Sequence, residues 1–76
     1  MTYQDIVELG LKTIATDTNS FVSRTTDDDV WLELFYCVET NYLQIMRGTK
    51  GDKGETLRNT IYEGKGDIGV IKQFIK

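Results

Sequence analysis

The chain has no His, no Pro and a single Cys, Cys37. Each absence removes a class of chemistry. Without His, the commonest general base is missing, and so is the commonest metal ligand. One Cys cannot close an intramolecular disulfide or build a thiolate zinc site, and without an imidazole it has no customary base to activate it as a nucleophile. No apolar run approaches the ~20 residues of a membrane-spanning helix. The opening residues Met1-Thr2-Tyr3-Gln4-Asp5 lack the basic start of a signal peptide. These features lead to the expectation of a cytoplasmic protein of a reducing compartment, with no catalytic residues, no cofactor, no metal and no membrane contact.

What remains is short and acidic. At 76 residues the chain is one domain, 1–76. A domain of this size buries only about 60% of the surface that its unfolded form exposes, so a partner or a second copy adds much to its stability. The formal net charge is −3, unevenly placed. Residues 1–40 carry two basic and eight acidic side chains, residues 41–76 seven basic and four acidic. Such asymmetry either orients a partner or lets two halves of a folded chain neutralise each other.

Helical periodicity predicts the elements. In residues 3–16, Tyr3, Ile6, Val7, Leu9, Gly10, Leu11 and Ile14 share one side, with Thr2 and Asp5 placed as a capping box. Asp17 to Ser20 read as a break. Phe21-Val22-Ser23-Arg24 fits either a strand or an apolar plug. The run from Val30 to Val38 is rich in β-favouring side chains, but alternation fails because Trp31 and Phe35 would share a face with Glu33 and Cys37. A helical projection of residues 27–47 is cleaner. It gathers Val30, Trp31, Leu34, Phe35, Val38, Tyr42, Ile45 and Met46 on one arc, with Thr26 to cap it, Asp27 to Asp29 beside the positive end of the dipole, and Gly48 to stop it. Gly48 to Gly54 reads as a loop, 55–63 as a short helix ended by Gly64, and 68–76 as a last helix capped by Asp67. The expected fold is an all-α, four-helix bundle-like domain with helices at about 3–16, 27–47, 55–63 and 68–76. The alternative is an α+β chain with a short antiparallel meander between an N-terminal and a C-terminal helix. Trp31, Leu34, Phe35 and Val38 are expected in the core with Ile14, Ile61 and Phe74.

Three features bear on function. The glycine-rich stretch has the wrong order for a phosphate-binding P-loop, since Lys53 precedes Gly54 and Glu55 follows it. Gly51-Asp52-Lys53-Gly54 has the Gly-x-x-Gly spacing of the KH loop, but Asp52 stands where a phosphate backbone would pass. Asp27, Asp28 and Asp29 do not have calcium-loop spacing, and of the local acids only Asp29 and Glu33, one helical turn apart, could share a cation. Finally, Leu32, Tyr36 and Leu43 widen the apolar arc of the long helix into a second seam, wider than a helix packed on one side needs. Cys37 fits as a small, half-buried apolar residue.

The function expected from this reading is a small acidic protein-binding module that acts stoichiometrically, of inhibitor, immunity or adaptor type. Leu32, Tyr36, Leu43, Asp27, Asp28 and Asp29 would meet a protein partner or a second copy of the chain. The alternative is a nucleic-acid-binding accessory protein using Arg47, Lys50, Lys53 and Arg58, against which the net negative charge counts.

Overall fold

The computed structural model describes residues 2–25 and 29–75, the side chain of Tyr3 excepted. In chain order the elements are α1 (Tyr3–Glu8), β1 (Lys12–Thr16), β2 (Ser20–Arg24), β3 (Val30–Cys37), β4 (Tyr42–Lys50), β5 (Thr56–Lys65) and α2 (Ile68–Phe74). The five strands form one antiparallel sheet in the order β1-β2-β3-β4-β5. The molecule is therefore the α+β meander between two terminal helices, and the all-α helical bundle is overturned.

Each correction has a local cause. The expected helix 3–16 stops at Glu8, because Gly10 adopts a left-handed φ of 86° and the N–H groups of Leu9 and Gly10 close the last turn on Ile6 and Val7. Residues 12–16 then pair with β2 as a strand. The long helix at 27–47 is instead the hairpin β3–β4, turning at Val38 to Asn41, where Asn41 has a φ of 53°. Gly48 is not a helix stop but a residue inside β4, opposite Trp31. The expected helix 55–63 is most of β5, which pairs along its whole length with β4. Two end signals hold as read. Thr2 and Asp5 form a reciprocal capping box, and Asp67 caps α2 by accepting from the Gly69 N–H at 2.8 Å.

Cross-strand partners share a face, so the register sorts the side chains. One face carries Phe21, Tyr36 and Leu43 in one row, and Ser23, Leu34, Ile45 and Tyr62 in the next. Both helices pack on this face through Ile6 and Ile71, with Leu11 completing the core. The Phe21 and Tyr36 rings tilt against each other at 5.5 Å. The Tyr36 hydroxyl donates to Asn41 Oδ1 at 2.6 Å, which ties the core to the β3–β4 turn. Ser23 is fully buried and satisfied by a hydroxyl–hydroxyl bond to Thr13.

The core is thus not the expected set. Leu34 belongs to it and Ile61 packs at its margin, but Trp31 is buried on the opposite face of the sheet and Phe35 is half-buried there. Ile14, Val38 and Phe74 are exposed.

Candidate functional site

The second face of the sheet carries neither helix. Its residues follow from the register: Lys12 and Ala15 on β1, Ser20, Val22 and Arg24 on β2, Trp31, Glu33, Phe35 and Cys37 on β3, Tyr42, Gln44, Met46, Gly48 and Lys50 on β4, and Thr56, Arg58, Thr60, Glu63 and Lys65 on β5. Five of these are cations and two are carboxylates, although the chain as a whole is acidic. Most of the remaining charge lies on helices and turns, where Asp5, Glu8, Asp17, Glu39, Asp52, Glu55 and Asp67 stand. Folding separates the signs, so the open face has the opposite charge to the molecule.

At one end of this face, Trp31 is 4% exposed without any helix above it. Its indole occupies the space that a Cβ on Gly48 would need, and the Arg24 guanidinium lies over the ring at 4.3 Å. Next to it, Arg58 Nε donates to Glu33 Oε2 at 3.0 Å, reaching from β5 across β4 to β3. The missing side chain at Gly48 leaves room for both. Glu33 is 6% exposed, and Arg58 is the cation that meets its carboxylate on the sheet surface.

Toward the other end, Phe35 and Tyr42 sit diagonally on neighbouring central strands, both half-buried, with ring centroids 6.3 Å apart. The Tyr42 hydroxyl donates to Glu63 Oε2 at 2.7 Å, which pushes the phenol above its ordinary value of 10.0. Gln44 donates to the Thr60 hydroxyl alongside. Cys37 closes the row. Hydrogen bonds from the Thr40 side chain, then from its backbone N–H, hold the thiol below its ordinary 9.0.

The residues expected to bind a partner fall in different places. Tyr36 and Leu43 are cross-strand neighbours in the core, 2% and 0% exposed, under the helices. Leu32 is half-buried on that same face. The seam they were to form belongs to a helix that the chain does not build. Asp27 and Asp28 lie outside the described residues, and Asp29 is an exposed bend residue before β3. Glu33 pairs with Arg58, so it is not half of a shared cation site with Asp29. Among the described residues no three His, Cys, Asp or Glu side chains are grouped to hold a metal ion.

The four basic residues divide as well. Arg58 and Lys50 lie on the open face, Lys53 lies in the β4–β5 turn, and Arg47 points to the helix-bearing face, opposite Leu32 and Asn59. The sheet adds Lys12, Arg24, Lys65, Phe35 and Tyr42, which the sequence reading left out of any site. Only the strand register, which a helical projection discards, brings them together. Among the described residues no helix is long and apolar enough to cross a membrane. Comparison with protein families, with characterised proteins and with solved structures returns no match.

Proposed function

We propose that the open face of the sheet binds single-stranded nucleic acid. The observation that carries this reading is the sorting of charge: Lys12, Arg24, Lys50, Arg58 and Lys65 against Glu33 and Glu63, arranged around the half-buried Phe35 and Tyr42. Single strands are held by cations that track the phosphates and by aromatic rings on which bases stack, at about 1–3 kcal/mol per stacked base. A flat sheet offers both on one surface. Phe35 and Tyr42 are the rings in reach, whereas Trp31 is closed off between Arg24 and Gly48. The binding surface is then the sheet, with Lys50 and Arg58 part of it, rather than the loop around Lys53.

Fluorescence anisotropy with a labelled oligothymidylate or oligouridylate tests this. The expected result is binding that weakens steeply with salt and falls at least tenfold in Phe35→Ala or Tyr42→Ala, while Lys53→Glu has the smaller effect. Absence of binding at low salt, or binding indifferent to both ring deletions, would overturn it.

A second reading keeps the stoichiometric protein-binding role. It is favoured by Val30, Leu57 and Phe74, all exposed at the end of the helix-bearing face beyond the core. Oligonucleotide binding that survives Leu57→Lys unchanged separates that patch from the sheet surface.

A further inference from the structure

We propose that two copies of the chain join through β5, edge to edge, in one continuous antiparallel sheet with a two-fold axis normal to it. This goes beyond nucleic-acid binding and does not depend on it. β5 is the longest strand, ten residues, and it is a terminal strand of the sheet. Thr56 to Thr60 are exposed, Leu57 by 50%. An edge strand leaves a row of backbone donors and acceptors ready for another strand, and edges are usually blunted by Pro, short length or repeated Lys. β5 has no Pro and one Lys, at its end. Both edges carry a bulge: in β1 it leaves arms of two residues, 12–13 and 15–16, whereas in β5 it leaves arms of five and four, 56–60 and 62–65.

The argument for a second copy is the self-complementarity of β5. Antiparallel partners must present their side chains on the same face. β5 carries one extra residue, Ile61, between Tyr62 opposite Ile45 and Thr60 opposite Met46. The bulge resets the alternation. Thr56 and Arg58 lie on the open face with Glu63 and Lys65, while Leu57 and Asn59 lie on the helix face with Gly64 and Tyr62. A two-fold between Thr60 and Ile61 then matches faces on both arms, pairing Thr56 with Lys65, Leu57 with Gly64, Arg58 with Glu63 and Asn59 with Tyr62. Only the central pair is irregular. Moving the axis by half a residue sets opposite faces against each other along both arms.

Charge then selects among the face-matched registers. Full overlap sets Arg58 opposite Glu63 twice over. A slip of two residues toward the C-terminus sets Arg58 opposite Lys65, two like charges. The reverse slip leaves Gly64 and Lys65 unpaired and removes the Arg58–Glu63 match. In the favoured register both helix layers lie on the same side, and the two open faces join into one surface.

Sedimentation equilibrium on the full chain, without nucleic acid, tests the pairing. The wild type is expected to dimerise. Thr56→Lys sets one ammonium group opposite Lys65 of the partner subunit at each end, and is expected to weaken the dimer about tenfold. Adding Lys65→Glu to Thr56→Lys turns both clashes into opposite-charge pairs and should restore association. Both sites are exposed, and far-ultraviolet circular dichroism checks that each variant keeps its fold. Amide hydrogen exchange across residues 56–65 should slow as wild-type concentration rises. A chain that stays monomeric into the millimolar range, or a dimer that ignores Thr56→Lys, would overturn the proposal. Either result leaves the oligonucleotide titration of the monomer face to stand or fall by itself.

Discussion

Trp31 and Gly48 are cross-strand partners, and the indole of one fills the place where the other has no side chain. The contact explains how a large aromatic is buried on a sheet face that no helix covers. It also leaves Trp31 Nε1 buried with no hydrogen-bond partner among the described residues. The ring is held there by shape and by the Arg24 cation rather than by its polar atom.

Gly48→Ala is therefore expected to destabilise the chain by about 1–3 kcal/mol, the usual cost of forcing an extra carbon into a filled space. Trp31→Phe should cost less than burial alone suggests, because it also removes an unpaired buried donor. In the Gly48→Ala background, Trp31→Phe should recover part of the loss. Denaturant titration of the two single variants and the double checks this; strictly additive effects would show that the ring and the glycine do not compete for space.

Gly10→Ala makes a contrast. A Cβ at Gly10 would meet nothing within 4 Å, so the cost is conformational only, about 1–2 kcal/mol for holding an L-residue at a φ of 86°. Replacement by Asn, which tolerates the left-handed region better, should cost less than replacement by Ala. Equal losses for the two would point to the side chain rather than to φ.

Glycine also shows where the sequence was legible. Gly10 was a helix stop placed just after a good capping box, yet helical projection absorbed it into the apolar side of residues 3–16. Gly48 carried the opposite trap: it followed Arg47 as a C-cap glycine should, but it is a strand residue cleared for an indole. The end signals at Thr2, Asp5 and Asp67 are legible in the sequence because capping is a local hydrogen-bond pattern.

β3 hides its strand period for a physical reason. Alternation marks a strand with one wet face. β3 is the central strand, and burial reaches both its faces, with Leu34 and Tyr36 under the helices and Trp31 and Glu33 on the open side. Trp31 is covered by Arg24 and Glu33 is bridged by Arg58, a residue 25 positions away in sequence. A strand dressed by side chains from β2 and β5 loses its period of two, and a broad apolar arc in helical projection is the result. The β-favouring composition of residues 30–38 was the better signal. The open-face cluster was legible only in part, because Lys12, Phe35, Tyr42 and Arg58 become neighbours through register and not through spacing.

Leu34→Ala is expected to cost about 2–5 kcal/mol, since the side chain is fully buried under both helices. Tyr36→Glu should unfold the chain at neutral pH. It replaces a 2%-exposed ring and its bond to Asn41 with a carboxylate that has no cation nearby in the core. Circular dichroism on this variant distinguishes a core position from a partner-facing one. A folded Tyr36→Glu protein would return the residue to the surface.

Cys37 should react with an alkylating reagent faster than an ordinary thiol below pH 9, because Thr40 stabilises its thiolate. Its folded-state pKa is depressed, so this contribution to stability is present above the unfolded value of 9.0 and is lost as pH falls through the folded one. Thr40→Val should move the midpoint of the rate–pH profile upward, toward 9. An unmoved midpoint would remove Thr40 as the cause.

The two ends of the ion pair between Arg58 and Glu33 are unequal: the Arg58 side chain is 49% exposed and that of Glu33 8%. Water screens the outer end, so the pair itself adds little, on the order of 1 kcal/mol or less. The cost of breaking it depends on which end is left. Arg58→Met strands a carboxylate against the sheet beside Trp31 and Met46 and should cost about 1–3 kcal/mol. Glu33→Gln leaves a guanidinium that is already half in water and should cost less than Arg58→Met. In Glu33→Gln/Arg58→Met no charge is stranded, and stability should lie above that of Arg58→Met alone. Oligonucleotide affinity should rank differently. Arg58→Met removes a cation and weakens binding, whereas Glu33→Gln removes a carboxylate from the same face and strengthens it, with the larger difference at low salt. The stability series reads the burial of Glu33, and the affinity series reads the sign of the face. Matching ranks in the two series would mean that Arg58 acts only by holding the sheet together.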